Sequence, residues 1–176
     1  HWTTRGPGQW TGWCIPWASI LCSRLGLSDA AVLWLHFWKR NFTNVGHGTL
    51  HDAGIAGVTA WNAGILFERN FQYANHQAER EIMQMDAGMG AVSAVLELLV
   101  QCRRDGVYVL PNIPRHWRDF SFANIGAEGA VRLGARVVGG RVVEIQVTAL
   151  HGGPVRIVHG GRKSTRLNSS HLVISY

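Results

Sequence analysis

The strongest constraint on this chain is a change of period part-way along it. Residues 10–104 carry apolar side chains at helical spacing and are rich in Trp, Ala, Leu and His. Residues 106–161 alternate apolar and polar positions and are rich in Val, Arg and Gly. A period of 3.6 buries one stripe of a helix, and a period of two buries one face of a strand. The two halves therefore belong to different kinds of layer. The stretch from Arg103 to Pro114, with a second proline at Pro111, reads as the turn and loop between them. A length of 176 residues suits one ordinary domain or two small ones.

Three helices are expected in the first half. One runs from about Trp17 to Leu25, with Trp17, Ile20, Leu21 and Arg24 at helical spacing and Gly26 ending it. The next runs from Ala30 to Arg40, with Ser28 as its N-cap and Asp29 in its first turn. It is apolar nearly all round and must pack on several sides. The third runs from Gly88 to about Arg103, with Val92, Val95, Leu96, Leu99 and Val100 as its buried stripe. The Gly-rich, His-bearing stretch from Thr43 to Ala60 reads as a long loop, which in a compact domain is usually functional or mobile.

In the second half, Val131, Leu133, Ala135 and Val137 alternate with Arg132, Gly134 and Arg136. Val143, Ile145 and Val147 alternate with Glu144, Gln146 and Thr148 and are expected on the buried face. Gly139-Gly140 fits a two-residue hairpin turn, and Gly152-Gly153 fits a second one leading into Val155 and Ile157. An antiparallel meander forming part of a β-sandwich follows. The fold class is thus α+β.

Composition narrows the function. With 47% apolar and 16% charged residues, the chain is not disordered, a coiled coil or a collagen. No uninterrupted apolar run reaches the roughly 18 residues of a membrane span, so no membrane partner is expected. The net charge is +6, but Arg162, Lys163 and Arg166 lie in a tail, Arg162 to Tyr176, that resembles translated sequencing adapter. Without that tail the charge is +3. The remaining arginines are scattered, with only Arg103-Arg104 adjacent, so no nucleic-acid partner is expected. The tail is expected to pack against nothing and to find no partner strand. The chain opens on His1 with neither Met nor a signal peptide, as a fragment of a longer protein would. Cys14 and Cys22 would sit about 12 Å apart along one helix at 1.5 Å per residue, too far for a disulfide. Free, mostly buried thiols are expected for these and Cys102, with no metal spacing among them.

Three groups carry candidate chemistry. Asp86, in MQMDAGMG, is either the cap of the helix it precedes or an acid at the mouth of a cleft. Its small neighbours Ala87, Gly88 and Gly90 would let a ligand approach. His47, His51 and Asp52 form HGTLHD. On a helix the two histidines could share a metal, but the segment holds glycines and lacks a third ligand, so a polar loop lining a substrate or an ordinary surface loop fits it better. Eight tryptophans form the third group, with Trp2, Trp10, Trp13 and Trp17 crowding the start. Most tryptophans pack cores, while one or two here could stack on sugar rings through the negative face of the indole. Glu79, Glu81, Arg132 and Arg136 read as solvated.

These residues resemble glycoside hydrolase family 95, the α-L-fucosidases. Residues 11–26, TGWCIPWASILCSRLG, are similar to the family's GWS…W…LWARLG segment. Residues 83–90, MQMDAGMG, are similar to FQIDGNFG, and AVLELLVQ at 94–101 to the helix that follows it. VYVLPNIP at 107–114 is similar to IHLLPALP, with Trp117 at the following AW. Ala127 to Ala135 resembles the VKGLRARGG strand, and the likeness covers most of residues 9–158 in order. The resemblance implies the last helices of an (α/α)6 toroid over residues 1–105 and a C-terminal β domain over 106–161, with 162–176 as an artefactual tail. It implies an inverting mechanism, in which one carboxylic acid protonates the leaving oxygen and a base activates water on the opposite face. Asp86 matches the motif aspartate that supports the base side; the general acid and partner asparagines would lie upstream. Trp13, Trp17, Gln84 and His51 are the substrate-binding candidates, for an oligosaccharide or polysaccharide, with no cofactor and no metal expected. The resemblance implies an extracellular or periplasmic location, which the residues by themselves do not indicate. The chain departs from the pattern where Arg80-Glu81-Ile82 replaces HPP, with His76 nearby, and where Met83 and Gly88-Met89 replace Phe and Asn-Phe. These changes leave open a related α-L-glycoside, a non-catalytic polysaccharide-binding protein, or another toroid enzyme such as a lyase or phosphorylase.

Overall fold

A computed structural model describes residues 10–44, 48–51, 83–151, 154–159, 163–167 and 171–175. His47, Asp52, His76, Glu79, Glu81 and the Gly152-Gly153 turn lie outside them. The chain divides into two compact units, residues 1–22 with 30–95 and residues 23–29 with 96–176. Among the described residues no helix is long and apolar enough to cross a membrane.

The first unit is built on α1 (Cys14–Arg24), α2 (Ser28–Asn41) and α3 (Met85–Leu99), whose far ends are counted with the second unit. Ser28 opens α2 with Asp29 in its first turn, as the sequence predicts. After α2 the chain forms a small antiparallel pair, β1 (Thr43–Asn44) and β2 (Gly48–Thr49), within the stretch expected to be loop. Trp10, Ile15, Ala18 and Phe42 make the core, with Trp34, Phe37 and Trp38 packed against it. Trp10 is 6% exposed and lies against Trp34 with ring centroids 5.3 Å apart, so it belongs to the core.

Helix α3 corrects two expectations. Its buried stripe is Ala87, Ala91, Ala94 and Leu98, while Met85, Met89, Val92, Val95 and Leu96 are exposed. Small side chains lie inside because they let neighbouring backbone come close, a gain that a ranking by hydrophobicity does not see. The helix also stops at Leu99. Val100–Arg103, which continues the apolar helical pattern and includes Cys102, is a strand instead. The three cysteines are free and half-buried.

The second unit is a sandwich of two four-stranded sheets. One holds β3 (Val100–Arg103), β4 (Gly106–Val109), β8 (Val155–His159) and β9 (Lys163–Leu167) in that order. The other runs β10 (His171–Ser175), β7 (Arg141–Ala149), β6 (Val131–Val138), β5 (Phe120–Ala127). Val107, Val109 and Ile157 from the first sheet share one core with Leu133, Val137, Ile145 and Val147 from the second. Gly139 and Gly140 close the β6–β7 hairpin at φ 60° and 78°, the left-handed pair that a primed turn requires.

Three β expectations need correction. A bulge follows the Arg136–Glu144 pair, so Val137 faces Val142 and Val143 is passed over; Val142, not Val143, packs on the core. Strand β8 makes no hairpin with β7. It crosses to the other sheet and lies parallel to β4, through Val107–Ile157 and Val109–His159. The tail is not bare either: Lys163–Leu167 pairs with β8 and His171–Ser175 with β7. Both strands meet sheet edges whose free N–H and C=O groups template any extended segment, and Thr165, Val173 and Ile174 favour extension.

Polar ties fix the helix ends that belong to this unit. Gln101, fully buried, donates to Ser23 Oγ at 3.0 Å and to the Glu97 carbonyl at 2.9 Å, and accepts from Arg103. Arg24 grips the Glu97 carboxylate with two bonds of 2.8 and 2.6 Å. The Arg115 backbone N–H and guanidinium both donate to Asp29, which holds its carboxyl below the usual carboxylate range.

Urea unfolding of Ile145→Ala should show a loss of about 2–5 kcal/mol, because the deleted atoms leave a cavity in a shared core. Val138→Ala, at a half-exposed position on the next strand, should stay within about 0.5 kcal/mol.

Candidate functional site

Three segments of the first unit converge on one residue, Gln84. Its backbone N–H donates to the Thr49 carbonyl at 2.9 Å, and its own carbonyl accepts the Thr49 hydroxyl. Its side-chain Oε1 accepts the Trp13 backbone N–H at 2.9 Å. Next to it, the Gly12 N–H donates to the His51 carbonyl at 2.8 Å, and Leu50 bridges Met83 as an isolated antiparallel pair. The turn before α1, the strand β2 and the start of α3 are thereby sewn together by backbone groups.

Glycines make that approach possible. A Cβ on Gly12 would run into the Leu50 carbonyl and meet Gln84 Oε1 at 2.9 Å. On Gly88 it would meet Thr49 Cγ2 at 2.8 Å, and on Gly90 it would meet Pro16 Cβ at 3.2 Å. Ala87 is fully buried. The small residues around Asp86 therefore serve contacts inside the protein.

Asp86 is the second residue of α3 and is exposed. Its Oδ1 accepts the Ala87 N–H at 3.1 Å, one of the free donors at the helix start. A negative charge there is favoured by the helix dipole, by about 0.3–1 kcal/mol at an exposed position. Trp13 and Trp17 form a tilted pair with ring centroids 5.1 Å apart. They remain 37% and 48% exposed, unlike Trp10. Of the candidates read from the sequence, Trp13, Gln84 and His51 meet through hydrogen bonds or adjoining backbone, Trp17 stacks on Trp13, and Asp86 follows Gln84 by two residues. His51 enters this arrangement through its carbonyl.

Sequence reading missed Thr49, whose hydroxyl and carbonyl both hold Gln84, and Gly12, whose place is needed for the close approach. The only available signal was a glycine directly before a tryptophan. Among the described residues, no group of three or more His, Cys, Asp or Glu comes together to hold a metal ion.

A curated protein, Alpha-L-fucosidase 2 of Arabidopsis thaliana, is 31% identical over 100 residues. The chain is similar to an α-L-fucosidase. That match takes in 54% of this chain and 12% of the relative, so the chain spans about an eighth of the curated protein's length. The likeness to family 95 read from the motifs is thus found again in a sequence match over about half of the chain. A solved structure, a putative kojibiose phosphorylase from human microbiome, is 16% identical with a TM-score of 0.48, covering 94% of this chain and 20% of its own. No family model matches the chain.

Gly12→Ala should destabilise the helical unit by about 1–3 kcal/mol through overpacking against Leu50, seen as an earlier urea midpoint by tryptophan fluorescence. Ser93→Ala, exposed on α3, should leave the midpoint within about 0.5 kcal/mol of wild type.

Proposed function

We propose that this chain is the C-terminal part of a longer inverting glycoside hydrolase acting on α-L-fucosides or related α-L-glycosides, with Asp86 on the base side of the site. The observation that carries this reading is the placement of Asp86. It is an exposed carboxylate at a helix start, two residues from the glutamine that holds the Trp13 turn. Trp13 and Trp17 offer half-open indole faces of the kind on which pyranose C–H bonds stack. Gln84 and His51 complete the substrate side, and the substrate is an oligosaccharide or polysaccharide.

In inversion, one carboxylic acid protonates the leaving oxygen while a base activates water on the opposite face of the ring. A carboxylate in Asp86's position supports the second half of that step by accepting a hydrogen bond from the water or its activating group. The acid belongs to a part of the enzyme upstream of these residues. The toroid reading accounts for a feature that a lone chain does not. Met85, Met89 and Val92 on α3, and Trp17 and Leu21 on α1, are exposed apolar positions at helical spacing, as on helices that more helices cover. In the same reading, the helices up to Leu99 close the toroid, and the strands from Val100 onward, rather than from 106, form the β domain.

The test is Asp86→Asn in the complete enzyme, assayed on an aryl α-L-fucoside. A base-side role predicts that kcat falls by about 10²-fold or more. Asn caps a helix nearly as well as Asp. If the carboxylate only caps α3, turnover and stability will both stay near wild type, and that result overturns the catalytic assignment. The 176-residue chain alone should turn over no glycoside.

A further inference from the structure

The geometry points to a second saccharide-binding surface, on the β-sandwich and independent of Asp86. Two grooves meet at Ser121 and Phe122 on β5, which is an edge strand of its sheet. One, of about 410 Å³, crosses the sheet over Arg136, Glu144 and Gln146. The other, of about 620 Å³, runs beside His116 and Trp117.

The register explains the first groove. Ser121, Arg136 and Glu144 are directly opposite one another on three adjacent strands. In the next row Gln146 faces Gly134, which has no side chain, so the sheet dips beside Arg136. The polar groups around the dip already hold each other. Gln146 donates to Glu144 at 2.6 Å, and Arg136 pairs with the same carboxylate at 3.5 Å. Arg136 and Glu144 balance one another in charge, which disfavours a phosphate or an acidic peptide. What remains is a row of donors and acceptors with no net charge, suited to vicinal hydroxyls. In the second groove Trp117 is half-buried and backed by Phe120, whose ring meets it edge-on at 5.5 Å. A braced indole at the end of a hydroxyl-reading groove fits a neutral oligosaccharide of several units, one ring on Trp117 and another over the Arg136–Glu144–Gln146 row.

The experiment is an amide and indole NMR titration of the 176-residue chain with cellotetraose, xylotetraose and 2′-fucosyllactose, each to concentrations on the order of 10 mM. The expected result is saturable shifts of the Trp117 indole N–H and of the Ser121, Arg136 and Gln146 amides with at least one sugar. Trp117→Ala and, separately, Gln146→Ala should each weaken that binding by about tenfold. Should Trp117→Ala unfold, Gln146→Ala, an exposed change, still decides. Silence at these positions with all three sugars overturns the inference. So do shifts confined to Trp13 and Trp17, or shifts at the β5 edge produced only by an added extended peptide. Because Asp86 takes no part, inactive Asp86→Asn enzyme should bind here undiminished.

Discussion

The helical unit depends on the hydrogen bonds that Gln84 makes in three directions. Backbone groups at Gly12, Trp13, Thr49 and Gln84 would each lose a partner if the three segments parted, and a typical intramolecular hydrogen bond contributes about 0.5–1.5 kcal/mol net. Glycine at 12, 88 and 90 is the steric condition for that arrangement, since a side chain at any of them would push a segment away. The start of α3, and with it Asp86, is therefore positioned by backbone bonding rather than by apolar packing. Such an arrangement fixes the helix end without burying the Asp86 charge.

The same logic of close approach explains where the sequence was readable and where it was not. The β6–β7 hairpin was legible because two signals agree there: strict alternation on both strands and a glycine pair able to take positive φ. Ser28 and Asp29 at the start of α2 were legible as local capping chemistry. The buried face of α3 was misread because Val and Leu outrank Ala in hydrophobicity, yet Ala and Gly are what the neighbouring backbone tolerates. Val143 was misread because one bulge inverts the faces beyond it, and nothing in the local pattern announces a bulge.

The remaining differences are non-local. That β8 joins β4 in parallel, in the other sheet, depends on partners about 50 residues away, whereas a Gly-Gly pair between two alternating segments looks locally like another hairpin. Val100–Arg103 continues an apolar helical period, but its pairing with Gly106–Val109 wins. In the candidate site, Asp86, Trp13, Trp17 and Gln84 lie in segments that resemble family 95, and His51 could be named from its polar, glycine-bearing loop. The means by which they are held could not, because Thr49 and Gly12 act through backbone geometry that carries almost no sequence signature.

Amide hydrogen exchange at Trp13 tests the central claim most directly. Protection of that N–H in the native chain reports its bond to the Gln84 side chain. The account predicts a protected Trp13 amide in wild type and at least about tenfold faster exchange in Gln84→Ala, with the Ile145 and Val147 amides of the sandwich unchanged. A Trp13 amide that exchanges at the open-chain rate in wild type, or is equally protected in Gln84→Ala, would contradict it.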